Sequence, residues 1–206
     1  MLDIGANIGF FALLGARLVG PTGCVHAVEA APEIAAMLRA NLALNPFHNV
    51  FLHELAVSDR EGMLEFHTAT RNHSGVSSIR DLGSRTATTT RVPGNTIDSL
   101  LSEIPSVTLA KLDVEGAEML ALRGMRQLLQ RDQPYLIVEL SDSYLRDLGS
   151  SASELCQFLT AGDYSLYRID WDGIRALNEP GGEQCDLLCV PGQKTLPQNL
   201  APLDLL

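Results

Sequence analysis

The residues able to do chemistry in this chain are acids placed beside glycines. Asp3 stands just ahead of the run Gly5-Ala6-Asn7-Ile8-Gly9, and Glu29 follows Gly9 by twenty residues. Glycines let the backbone turn sharply and let a ligand or a packed helix come close. A turn that cradles a pyrophosphate on bare amides reads G-x-G-x-x-G. Here the spacing is D-x-G-x-x-x-G, with Asn7 where a phosphate loop wants the smallest side chain and a carboxylate next to it. Such a neighbourhood repels phosphate and attracts a cation. S-adenosylmethionine carries an ammonium and a sulfonium and no phosphate, so it suits Asp3 better than NAD does. Glu29, followed by Ala30, is placed to accept hydrogen bonds from ribose hydroxyls. The alternative is a plain strand-turn-helix in which Asn7 caps the helix.

A second acidic group follows Lys111: Asp113-Val114-Glu115-Gly116-Ala117-Glu118, with Glu139 and Asp142 further on. Asp113 reads as a strand-end acid at the ligand site, or as a helix N-terminal acid offsetting the macrodipole. Glu115 would face the pocket and Glu118 would cap the helix. Glu139 would hydrogen-bond an acceptor hydroxyl or a backbone amide. His73, the only histidine in a long polar loop over 69–91, has the pKa of a general base near neutrality, though an exposed loop histidine is an equal reading. Asp113, Glu139 and Asp142 offer hard oxygen ligands for Mg²⁺, but nothing in their spacing demands a metal and none is expected.

Alternating elements must position these groups. The order is a short strand before Gly5, a helix to about Val19, a strand to Glu29, a helix from Pro32 to about Asn45, and a strand over 50–57. Met63–His67 reads as a strand pairing back as a hairpin, with another strand near 88–92 and a capped helix over 96–101. Then come a strand over 107–113, one helix burying Met119, Leu122, Met125 and Leu129, and a strand over 134–140. A helix from about Ser151 and two strands, 164–170 and 184–190, finish the core. This pattern predicts an α/β fold with a mostly parallel sheet covered on both faces and ligands at the strand C-termini, where Asp3, Glu29, Asp113 and Glu139 fall.

The chain has 206 residues, 46% of them apolar and 19% charged, enough for one core and without a low-complexity block. A formal charge of −10 with scattered Lys and Arg argues against a nucleic-acid footprint. No apolar run reaches a membrane span, and no signal-like segment opens the chain, so the expectation is a cytoplasmic protein. The four cysteines lack metal-finger spacing and read as reduced thiols. Domain organisation is expected to be one domain over 1–191 and a Pro-containing tail over 192–206.

The runs Leu2-Asp3-Ile4-Gly5-Ala6-Asn7-Ile8-Gly9, Val28-Glu29, Ala56-Val57-Ser58-Asp59, Asn72…Gly75…Ser77-Ser78 and, most specifically, Lys111-Leu112-Asp113-Val114-Glu115-Gly116-Ala117-Glu118 resemble the FkbM family. Pro134–Leu140 and Asp186–Pro191 extend the resemblance to nearly the whole chain. It implies a three-layer class I methyltransferase (Rossmann-like) fold with a seven-stranded, mostly parallel sheet and an antiparallel final hairpin. It also implies S-adenosylmethionine as cofactor and O-methylation of a hydroxyl on a sugar or polyketide-like small molecule. On that reading Asp3, Gly5, Ala6, Asn7, Gly9, Glu29, Ala30, Ala56, Val57 and Asp113 bind cofactor, with Ala56 and Val57 along the adenine; Asp113, His73 and Glu139 are the catalytic candidates. Family members carry a further segment ahead of the first strand, whereas Met1 here sits almost on the glycine turn. That predicts either a misassigned start or a fragment lacking part of its substrate cover, with cofactor binding retained in both cases. The rival readings are a non-catalytic cofactor- or partner-binding module and an NAD-dependent oxidoreductase.

Overall fold

A computed structural model describes residues 1–69, 77–180 and 184–196 of the chain. Leu2–Ile4 form β1, every residue of it buried, and the strand runs into the glycine turn. Helix α1 (Phe10–Val19) follows, preceded by Gly9 in the left-handed conformation and stopped at Gly20. Strand β2 (Val25–Val28), helix α2 (Pro32–Ala43) and strand β3 (Val50–His53) complete the first half of the sheet. Proline at the start of α2 needs no amide partner there and presets the backbone. His26 on β2 and His53 on β3 stack and share a 3.0 Å ring-nitrogen contact, a pairing the strand pattern gave no sign of.

The segment expected as one strand over 50–57 splits. β3 stays in the main sheet, while β4 (Ala56–Val57) pairs in parallel with β6 (Thr86–Asn95). β5 (Gly62–Ala69) pairs antiparallel with β6 rather than back on β3, so these three strands form a small separate sheet, ordered β4-β6-β5. Its apolar side (Ala56, Phe66, Val92) packs on Ala31 and Ile34 at the start of α2. The helix expected over 96–101 is a single 3-10 turn at Asp98–Leu100.

Strand β7 (Leu109–Leu112) leads into the acidic corner, and the single helix expected after it breaks into α3 (Glu118–Arg123) and α4 (Arg126–Asp132). The break has a partner: the Asp98 carboxylate accepts the Gln127 and Leu128 amides at 2.9 and 3.0 Å, capping α4 as a helix of its own. β8 (Tyr135–Leu140) is followed by a short helix that the periodicity did not reveal, α5 (Asp142–Asp147), and by α6 (Ala152–Ala161), capped by Ser151. β9 (Tyr164–Asp170), β10 (Gly173–Ala176) and β11 (Cys185–Pro191) close the fold.

The main sheet has the order β10-β9-β11-β8-β7-β1-β2-β3. β8, β7, β1, β2 and β3 are parallel neighbours, and β11, β9 and β10 are antiparallel. It holds eight strands where seven were expected, because the chain after β9 folds back at Trp171-Asp172 and adds β10 at the edge. Trp171, at that turn, is 98% exposed. One apolar cluster joins Leu2, Ile4, Leu112, Leu136 and Val138 to residues of α3, α4 and α6; another packs α1 and α2 on Val25 and Ala27. β1 thus sits at mid-sheet, with the turn that holds Gly5 at its C-terminal end. Of the tail, Lys194 and Thr195 bond back to Gln133 and Tyr135, and 197–206 lie outside the described residues.

Candidate active site

The C-terminal ends of β1, β2 and β7, the small sheet and the start of α1 surround a cavity of about 710 Å³. Gly5, Ala6, Asn7, Glu29, Ala30, Ala56, Val57 and Asp113 all line it, so the structure brings these candidates together. Gly9 does not line it; it seats the start of α1 against Leu38. Asp3 lies beneath the turn, fully buried. His73 lies outside the described residues.

Local bonding shows why each group stands where it does. The amides of Gly5 and Ala6 both bond the Val28 carbonyl at 3.0 Å, so the turn is tied to β2. Asn7 has a positive φ of 49° and its side chain accepts the Ile8 amide at 2.8 Å, but it does not cap α1, whose N-cap is Gly9 without a side-chain bond. The Glu29 carboxylate accepts the Asn7 and Ala31 amides, each at 2.9 Å, which fixes it against the turn on the cavity wall. Burial raises its pKa while these amides oppose the rise.

Asp3 and Lys111 are direct neighbours on β1 and β7. Lys111 Nζ stands 3.0 Å from Asp113 and 3.9 Å from Asp3, so it hydrogen-bonds the first and only faces the second. Both Asp3 oxygens are buried without a hydrogen bond among the described residues. Burial, against the pull of Lys111, raises Asp3 to about 6. A buried carboxylate left in this state suits an ammonium supplied from outside the protein. This is the observation by which S-adenosylmethionine fits the site.

The acidic corner is a built turn. Glu118, 1% exposed, accepts the amides of Val114 (3.0 Å) and Gly116 (3.1 and 3.2 Å), so its carboxylate organises the turn as well as opening α3. Glu115 takes a left-handed φ of 55° and lines the cavity. Two residues that sequence reasoning gave no role hold it. Ser78 Oγ donates to the Glu115 carbonyl at 2.9 Å, and Arg80 Nε donates to the same oxygen at 3.3 Å. Arg80, 2% exposed, also pairs with Asp147 and lies 3.8 Å over the Tyr144 ring, so it ties the segment after 77 to the corner and to α5.

Asp113, Glu115 and Glu139 each offer an oxygen within 4.8 Å of the others. Shared protons or a cation relieve such crowding; burial and the neighbouring acids raise Glu115 to about 7 and Glu139 to about 8. Glu139 bonds Gln184 and does not line the cavity, so it stands behind Asp113 and Glu115 rather than facing a ligand. Asp142 does not join this group: it accepts the Ala152 amide at 2.8 Å and pairs with Arg146, which makes it a cap between α5 and α6. At the mouth, Ile8, Phe10, Phe11 and Met37 line the cavity and remain exposed.

Known proteins share this fold. The sequence signature of the methyltransferase FkbM domain matches residues 3–166. The 2-O-methyltransferase NoeI of Sinorhizobium fredii is 29% identical over 165 residues, covering 70% of this chain and 64% of NoeI. The FkbM methyltransferase from Methylobacillus flagellatus superposes with a TM-score of 0.56 at 20% identity, over 91% of this chain and 42% of that one. Aeropyrum pernix fibrillarin, solved with natively bound S-adenosyl-L-methionine, gives a TM-score of 0.52 at 16% identity, over 92% of this chain and 65% of that one. The chain therefore spans less than two thirds of the length of each of these proteins. The architecture is that of the class I methyltransferases, an α/β fold with a large, mostly parallel sheet and antiparallel strands at its end. With the signature running from Asp3 through the acidic corner to β9, the chain belongs to the FkbM family of methyltransferases, whose cofactor is S-adenosylmethionine.

Proposed function

We propose that this chain is the catalytic domain, over residues 1–191, of an O-methyltransferase acting in the cytoplasm on a hydroxyl of a sugar or polyketide-like small molecule. The observation that carries the reading is the convergence, on one cavity, of the glycine turn, Glu29 and Asp113 over a buried Asp3 whose oxygens lack a hydrogen bond among the described residues. The name of NoeI, a 2-O-methyltransferase, supports oxygen as the acceptor atom. Asp3 would take the cofactor's ammonium, Glu29 its ribose with Ala30 alongside, and Ala56 and Val57 its adenine, while Gly5, Ala6 and Asn7 offer backbone groups. The cofactor supplies an electrophilic methyl group for in-line displacement.

The protein's part is alignment and proton removal. Asp113, fixed by Lys111, stands where the acceptor hydroxyl would approach, with Glu139 behind it. The apolar rim of Phe10, Phe11 and Met37 suits the carbon face of an acceptor and keeps water from the reacting atoms. No described helix is long and apolar enough to cross a membrane.

The first test is a thermal-shift titration with S-adenosylhomocysteine, NAD and NADP in parallel. A ligand at about 100 times its dissociation constant adds roughly 2.7 kcal/mol. In a chain of this length that raises the melting temperature by roughly 5–11 °C. The expected result is a shift with S-adenosylhomocysteine alone, followed by its formation from S-adenosylmethionine when hydroxyl acceptors are added. A shift with NAD alone would overturn the assignment.

A further inference from the structure

One carboxylate on the cavity wall has no counter-charge bonded to it. Asp113 has Lys111 at 3.0 Å. Glu29 and Glu118 are filled by backbone amides, and Glu139 bonds Gln184 away from the cavity. Glu115 lines the cavity with its Oε2 buried and without a hydrogen bond among the described residues. Arg80 faces it yet bonds elsewhere, with Nε on the Glu115 carbonyl and Nη1 on Asp147 at 3.2 Å.

The backbone at Glu115 is equally particular. A side-chain-bearing residue at a φ of 55° is costly and persists where its surroundings over-determine it. Here the two donors on its carbonyl, from Ser78 and Arg80, supply that constraint. Strain that holds a carboxylate with no bonded counter-charge on a cavity wall points to a cation that arrives with a ligand.

We propose that Glu115 is the counter-charge for the cofactor's sulfonium, and so the residue that makes this site prefer S-adenosylmethionine over S-adenosylhomocysteine. The inference rests on the cavity being the cofactor site. The two molecules share adenine, ribose, ammonium and carboxylate, and they differ by one methyl group and the positive charge on sulfur. Asp3 and Glu29 act on shared parts and cannot tell them apart. An unpartnered carboxylate on a poorly solvated wall attracts only the charged form. Ser78 and Arg80 are positioning residues, acting through the Glu115 backbone. Once the methyl group has left, the attraction ends, which favours departure of the product.

The test is equilibrium binding of S-adenosylmethionine and S-adenosylhomocysteine, measured separately by calorimetry at pH 8.5. Glu115, facing Asp113, Glu118, Glu139, Arg80 and Arg85, is raised to about 7 and is mostly ionised there. Glu115→Gln is expected to weaken S-adenosylmethionine about tenfold, a loss of roughly 1.4 kcal/mol, and to leave S-adenosylhomocysteine within about twofold. Glu115→Asp, with the charge drawn back by one carbon, should fall between. Arg80→Lys should move the methylated cofactor in the same direction with Glu115 intact. Asp3→Asn should weaken both ligands alike. An equal effect of Glu115→Gln on both ligands, or none on either, overturns the proposal while leaving the cofactor site in place. A parent protein that binds neither ligand overturns the cofactor reading and this proposal together.

Discussion

Replacing Asp3 with asparagine will stabilise the unloaded protein and deprive it of its cofactor. Asp3 is fully buried, and both its oxygens lack a hydrogen bond among the described residues. Its carboxyl, 3.8 in the unfolded chain, is raised to about 6 in the fold, chiefly by burial. The folded state therefore binds the proton more tightly than the unfolded one, and stability is lost as pH rises from 3.8 through about 6. At 1.36 kcal/mol per pH unit, the ionised group costs about 3 kcal/mol above that window. Asparagine removes the charge at every pH, while Lys111 keeps Asp113 as its partner. A net gain of about 2 kcal/mol at pH 8 corresponds to a melting temperature roughly 4–8 °C higher. The gain should vanish near pH 4, where the parent carboxyl is protonated as well. Binding of S-adenosylhomocysteine should fall at least about tenfold at pH 8, because the ammonium loses its partner. A variant that melts lower than the parent at pH 8 would show that the Asp3 charge is compensated, and retained binding would remove Asp3 from the site.

The two glycines of the turn will answer differently to alanine. A Cβ on Gly5, at a φ of +78°, would lie 1.8 Å from the Asp113 carbonyl oxygen. Neither backbone can retreat: the Gly5 amide bonds Val28 at 3.0 Å and the Asp113 amide bonds Ile4 at 3.1 Å. Left-handed backbone costs an alanine about 1–2 kcal/mol, and a forced overlap in a packed region adds about 1–3. Gly5→Ala should lower the melting temperature by roughly 10 °C or leave the protein insoluble. At Gly9 the new atom would meet the tip of Leu38 at 2.2 Å, a side chain that can turn away. Gly9→Ala should therefore cost clearly less in parallel melts, and equal losses would contradict this account of the turn.

The site was legible where its chemistry sits next to a backbone signal. A glycine turn after buried residues marks the ligand end of β1, and acids that close apolar runs mark strand C-termini, so Asp3, Glu29 and Asp113 could be placed from their neighbours in the chain. Glu139 was placed at the right strand end but not on the cavity, because a strand pattern gives the end of a strand and not which of its side chains reaches the ligand. Asp142 looked like part of the same acidic group; its capping partner, Ala152, is ten residues away and belongs to a helix that starts after an unforeseen one. Arg80 had no signal, and Ser78 had only a place in the family resemblance, since their partners Glu115 and Asp147 lie 35 to 67 residues away. The small sheet was missed for a similar reason: β5 alternates as a hairpin strand should, but its partner is settled by contact with Ala31 and Ile34 on α2.

The chain has a single tryptophan, Trp171, at the exposed turn between β9 and β10. Five strand spacings separate β10 from β1, about 24 Å at ~4.8 Å each. An indole already in water emits much as it will in the unfolded chain, and at that distance it does not sense a ligand beside Asp3. Tryptophan fluorescence will thus be nearly silent to both cofactor loading and global unfolding of this protein. Circular dichroism or an extrinsic dye must carry the optical measurements. The same silence makes Trp171 a clean reporter for anything that docks on that hairpin.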